Sequence, residues 1–156
     1  MCPTTLRWKR HVIAALGIAV DCLDKAIVAE GSSGGVTYFV QTSGPLQLAV
    51  RAGPGQNLRG WRRLYQSPRV ATFGGESTLT VCGSPAARQE VTVEERPATG
   101  GFAGVPVRRD VPPTTHVAVS FRVRELPVLA VWSVEAARRD ELRADEDHFF
   151  TSLCCL

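Results

Sequence analysis

Three histidines, His11, His116 and His148, are the natural candidates for acid–base work or metal binding, and their spacing supports neither. None stands in an H-E-x-x-H pair, and no G-x-x-x-x-G-K-[ST] phosphate loop occurs. Asp140, Glu141, Asp145, Glu146 and Asp147 precede His148 and carry oxygen donors of the kind that hold a hard cation. A solvated acidic helix end is the expected reading of that run. No catalytic residue, metal ligand or cofactor site is therefore nominated, and the chain reads as a non-enzyme.

The remaining reactive groups are the cysteines. Cys2, Cys22, Cys82, Cys154 and Cys155 form no C-x-x-C pair, and their odd number argues against a secreted disulfide framework, so reduced thiols are expected. The terminal Leu153-Cys154-Cys155-Leu156 lacks a cysteine four from the end and is no prenylation signal. Among basic residues Lys9 and Lys25 are the only lysines. The guanidinium fork of arginine suits phosphate recognition, and GC-rich coding explains the same bias equally well.

These groups must be positioned by a chain of 156 residues with 44% hydrophobic residues and a formal charge of +3, enough for one compact unit or one and a half small ones. So small a net charge does not by itself argue for nucleic acid. Arg7, Lys9 and Arg10 before the apolar run Val12 to Val20 have the layout of a signal peptide. No small-residue cleavage site follows, and Val12, Ala15, Leu16, Ala19, Val20 and Leu23 recur at three and four, so an amphipathic helix is expected over 7–23. The run is too short to cross a membrane as a helix.

After the turn cluster Gly31 to Gly35, strands are expected at Val36–Gln41 and Leu46–Arg51. Asn57 is placed to cap a second helix carrying Leu58, Trp61, Leu64 and Tyr65, whose aromatic side chains are expected in the core. Strands at Val70–Phe73, Thr78–Cys82 and Glu90–Glu95 follow, then a Pro/Gly/Thr-rich linker at 97–115. In 116–124, Val117, Val119, Phe121 and Val123 alternate with Ala118, Ser120, Arg122 and Arg124, as in a strand with one buried face. Pro127 then suits a first helical turn, and Leu126, Leu129, Val131, Trp132 and Ala136 fall on helical spacing. Phe149, Phe150 and Leu153 read as a last edge strand.

The strand–helix unit resembles one repeated in PCNA-like sliding clamps, and is most like that of the Rad-nine-type subunit of the DNA-damage checkpoint clamp. The matching residues are Val117, Val119, Ser120, Phe121, Val123, Arg124, Glu125, Leu126, Leu129, Ala130, Val131, Trp132 and Ala136. The openings of the two cycles, from Trp8 and from Asn57, are similar to clamp helices followed by strands. The resemblance implies an α+β clamp-like fold of about one and a half domains: a clamp-like domain at 6–96, the linker at 97–115 and a partial half-domain at 116–156. It departs from the family where the linker stands in place of a half-domain and in having no long tail.

What the resemblance implies for function is a non-enzymatic subunit of a nuclear checkpoint clamp. Its partners would be paralogous clamp subunits, a clamp loader and duplex DNA threaded without base readout, with no membrane involved. Arg7, Lys9 and Arg10 on the first helix, and Arg59, Arg62 and Arg63 on the second, would face the DNA and give salt-dependent attraction. Arg59 shares a helix face with Arg62 and Arg63, three and four residues on. The alternative is a small α+β protein-interaction domain, bacterial or viral, whose basic patches are incidental.

Overall fold

Residues 7–23, expected as a helix, form a hairpin instead: β1 (Trp8–Ile13) pairs antiparallel with β2 (Ile18–Leu23), from Trp8 opposite Leu23 to Ile13 opposite Ile18. β-Branched Val12, Ile13, Ile18 and Val20 suit a pleated surface. Gly17, at φ 66°, closes the turn, its N–H reaching the Ile13 carbonyl at 3.1 Å. The apolar recurrence at three and four was thus a period shared by two short strands across a four-residue turn.

The computed structural model describes residues 6–24, 26–44, 46–65, 69–95 and 112–156. Most of the expected linker, 97–111, lies outside the described residues. Three further strands follow the hairpin: β3 (Ile27–Ser33), β4 (Val36–Ser43) and β5 (Leu46–Ala52). Helix α1 (Leu58–Arg63) begins where its cap predicts, with the Asn57 side chain accepting from the Gly60 N–H at 2.9 Å. Next come β6 (Arg69–Phe73), β7 (Ser77–Val81), β8 (Ser84–Glu95), β9 (Thr114–Val123) and β10 (Leu126–Glu135). A single 3-10 turn at Ala136–Arg138, helix α2 (Arg143–Thr151) and the two-residue strand β11 (Cys154–Cys155) complete the chain.

β10 occupies the place where a second helix was expected. Arg124 and Glu125, at φ 50° and 67°, form a two-residue turn that folds β10 straight back on β9. Pro127 precedes the first residue paired with β5, Val128, so no ladder bond to that neighbour is lost. From Val128 to Val134 every residue is buried, because both faces of the strand are covered. A run apolar on all sides does not distinguish a buried strand from a helix.

All strands pair antiparallel, in one sheet ordered β3-β4-β5-β10-β9-β8-β6, with β7 also on β8, and a second ordered β1-β2-β11. No repeat of one helix and three strands occurs among the described residues, and the expected clamp-like architecture does not hold. Strands from 27–95 and from 114–135 share the large sheet.

Alternate residues of that sheet face two different layers. Phe39, Leu48, Val50, Val117, Val119, Ala130 and Trp132 pack against the β1–β2 hairpin and α2, meeting Ile18, Val20, Phe149 and Phe150. Ala49, Ala118, Leu129 and Val131 face the other way and are covered by Leu58 and Trp61 of α1. Phe149 and Phe150 lie in α2 rather than in the expected edge strand, and β11 alone follows it. Cys82 and Cys155 are joined by a disulfide, which corrects the expectation of reduced thiols at these two; Cys22 and Cys154 are free, and Cys2 lies outside the described residues.

Candidate functional site

Of the acidic run expected to be solvated, Asp140, Glu141 and Asp147 are exposed, but Asp145 and Glu146 are the most buried charges among the described residues. Asp145 and Glu146 are both fully buried in the first turns of α2. Asp145 accepts from the Leu6 N–H and the Trp8 indole N–H, each at 3.0 Å. Glu146 meets Arg88 Nη2 at 2.6 Å and Arg139 Nε at 3.2 Å, and Arg139 Nη2 reaches on to Glu90 at 2.6 Å. The hydrogen bond from Arg139 holds the Glu90 carboxyl below its usual range. Burial opposes the charge of Arg139, yet its bonds to Glu90 and Glu146 hold its pKa above the ordinary arginine value. Arg143 approaches Asp140 and Glu146, Arg138 bonds Glu141 at 2.5 Å, and Arg10 lies 3.5 Å from Asp21. On the α2 side of the large sheet, these arginines are all neutralised by carboxylates.

The α1 side is different. Arg62 is held by Glu76 and Gln89, but Arg51, Arg59 and Arg63 meet no carboxylate among the described residues. Arg122 donates to the Glu125 carbonyl at 3.2 Å and meets no carboxylate among the described residues. Arg51 and Arg122 lie on β5 and β9, in register with the buried α1-side residues Ala49 and Ala118 two and four positions away, so they face the same way.

Arg59 and Arg63, one helical turn apart, line a hollow of about 280 Å³ together with Gly55, Asn57 and Gly60. Local backbone geometry makes the hollow. The Gly53 N–H bonds the Pro127 carbonyl at 3.0 Å, and the Asn57 N–H bonds the Gly55 carbonyl at 3.0 Å. A Cβ on Gly60 would stand 2.5 Å from the Gly55 carbonyl oxygen, so the floor admits no side chain there. Trp61 is 3% exposed and packs edge-on against Tyr65 at 5.2 Å, in the core as expected.

The two basic clusters read from the sequence do not come together. Arg7, Lys9 and Arg10 are exposed on and before β1, while Arg59 and Arg63 are exposed on α1, with the large sheet between the two layers. Arg10 is moreover engaged by Asp21 and by the Cys154 sulfur.

The histidines are also dispersed. His11 pairs with Glu30 at 3.1 Å, His116 with Ser133 at 2.7 Å and His148 with Asp21 at 2.7 Å. No group of three metal-ligating side chains is assembled among the described residues. Gly31-Ser32-Ser33-Gly34-Gly35 has the letters of a G-x-S-x-G nucleophile elbow, but Ser33 lies in a β-hairpin opposite Val36, not on a strand-to-helix turn. Sequence reasoning missed Arg51, Arg122 and the Gly55–Gly60 floor; the Gly53-Pro54-Gly55 cluster before the capping Asn57 was the available signal.

No family model and no curated protein matches the chain. Solved structures do. Cyanobacterial PsbP (CyanoP) from Synechocystis is 14% identical over 100% of this chain and 98% of its own, with a TM-score of 0.62. The Ran-binding protein Mog1p from Saccharomyces cerevisiae is 10% identical over 97% of this chain and 96% of its own, with a TM-score of 0.53. At these identities the likeness is one of fold. It overturns the resemblance to a Rad-nine-type clamp and the roles drawn from it, namely encircling DNA, paralogous clamp partners, a clamp loader and a part in the DNA-damage response.

Proposed function

We propose that the chain is a non-enzymatic protein-interaction domain that binds an acidic segment of a partner protein on its α1 face. The observation that carries this is the unequal pairing of arginines. On the α2 side Arg10, Arg88, Arg138, Arg139 and Arg143 each meet a carboxylate, whereas Arg51, Arg59 and Arg63 meet none among the described residues and two of them flank a hollow. Unpaired surface charges of one sign steer and orient a partner of the other sign. Separate engagement of the three histidines in cross-strand and helix–strand pairs supports a non-catalytic role. Mog1p, of similar fold, is a Ran-binding protein, so this architecture has served protein recognition elsewhere.

The test is fluorescence anisotropy with a labelled peptide rich in Glu and Asp, across a salt series. Arg59→Ala/Arg63→Ala is expected to weaken binding about tenfold, equivalent to about 1.4 kcal/mol, and to flatten the salt dependence. Arg138→Ala, at a pair on the other side, is expected to leave both unchanged. Equal losses in the two variants, or none in the first, would remove the α1 face from the proposal.

A further inference from the structure

The chain's last five residues cover one edge of β2 by short contacts. Ser152 Oγ accepts from the Asp21 N–H at 2.8 Å, Cys154 and Cys155 stand opposite Ala19 and Ile18, and the Leu156 N–H bonds the Gly17 carbonyl at 2.9 Å. Because bonded pairs alternate along an antiparallel ladder, the bond at Gly17 puts Ala19 and Cys154 in the next bonded pair. Two residues of strand are little to hold a segment at the edge of a sheet. The covalent hold is the bridge from Cys155 to Cys82 on the β7–β8 turn, 73 residues away in sequence.

That bridge is accessible. Cys155 is exposed and Cys82 partly so, while the free thiols among the described residues differ: Cys22 is 1% exposed, and Cys154 accepts a hydrogen bond from the Arg10 guanidinium. We infer that Cys82–Cys155 is a thiol–disulfide exchange site for an external dithiol, and that opening it releases β11 and uncovers the edge of β2. One thiolate of the dithiol attacks the exposed Cys155 sulfur; the S–S bond breaks, a mixed disulfide forms at Cys155, and Cys82 leaves as a thiolate that takes up a proton. The second thiol of the reagent then attacks its own sulfur in the mixed disulfide. Cys155 departs as a thiol, the dithiol becomes a cyclic disulfide, and two electrons have passed to the protein.

With the bridge open, the hydrogen-bonding groups of Ala19 on the outer edge lose their partner, and β2 becomes a strand edge open to another polypeptide. Cys154 is freed from Arg10 by the same movement. The site lies apart from the α1 hollow, so its failure and the failure of acidic-segment binding are separate results.

The experiment titrates the folded protein with dithiothreitol, alkylates with iodoacetamide, maps the labelled cysteines by mass spectrometry and follows amide exchange. Among the four described cysteines, labels are expected on Cys82, Cys154 and Cys155 but not Cys22, with at least tenfold faster exchange at Ala19 and Asp21 and unchanged protection in β9 and β10. A Cys82→Ser/Cys155→Ser variant is expected to show the fast Ala19 exchange without reductant. Labelling of Cys82 and Cys155 only together with Cys22, or unchanged exchange at Ala19 after reduction, would overturn the inference.

Discussion

Glu146 shows how far a single side chain can depart from what its neighbours in sequence suggest. It sits in a run of five carboxylates and reads as solvated, yet it is fully buried because Arg88 and Arg139 reach it from β8 and from the segment before α2. No sequence pattern announces this: Arg88 is 58 residues away. Glu146→Gln leaves Arg88 without a carboxylate and Arg139 with Glu90 alone, and is expected to cost about 3 kcal/mol in urea unfolding. Glu90 carries a pH consequence of its own. Its folded pKa lies below the unfolded one, so its contribution is complete above about pH 4.3 and is lost as pH falls from there through the folded value. With the Glu90 side chain 40% exposed, solvent screening keeps the effect small. Acid titration of Arg139→Met is expected to show less loss of stability between pH 5 and 3 than the parent shows.

At the scale of elements, the strands around the turn clusters and helix α1 were legible, since Asn57 and the Gly/Pro groups act locally. The two helices wrongly expected share one physical reason. Short apolar runs satisfy both periods, and the arbiter is the turn between them, which in each case was not recognised: Ala14 to Gly17 in one, Arg124-Glu125 in the other. The second turn has no glycine or asparagine although both residues have positive φ, so it hides from sequence reading and is strained. Glu125→Gly is expected to raise the unfolding free energy by roughly 1 kcal/mol, measured by denaturant titration, without altering the register of β9 and β10. Of the candidate site, Arg59 and Arg63 were read from their helical spacing, while Arg51 and Arg122 needed the sheet register to join them.

For the molecule as a whole, the large sheet separates a side where five arginines meet carboxylates from a side where Arg51, Arg59 and Arg63 meet none among the described residues, a division that belongs to no single segment. Arg10, Arg88 and Arg139 come from β1, β8 and the α2 approach, and their carboxylates come from β2, β8 and α2. The placement of β10 has a further consequence, in time rather than space. It lies between β5 and β9, and its Ala130 pairs with Val50, 80 residues earlier. At typical rates of synthesis, roughly 4–16 s pass between the emergence of these two partners. During that interval β5 has no neighbour on that side, so the growing chain depends on a partner not yet made, and the sheet closes only after β10 has left the ribosome.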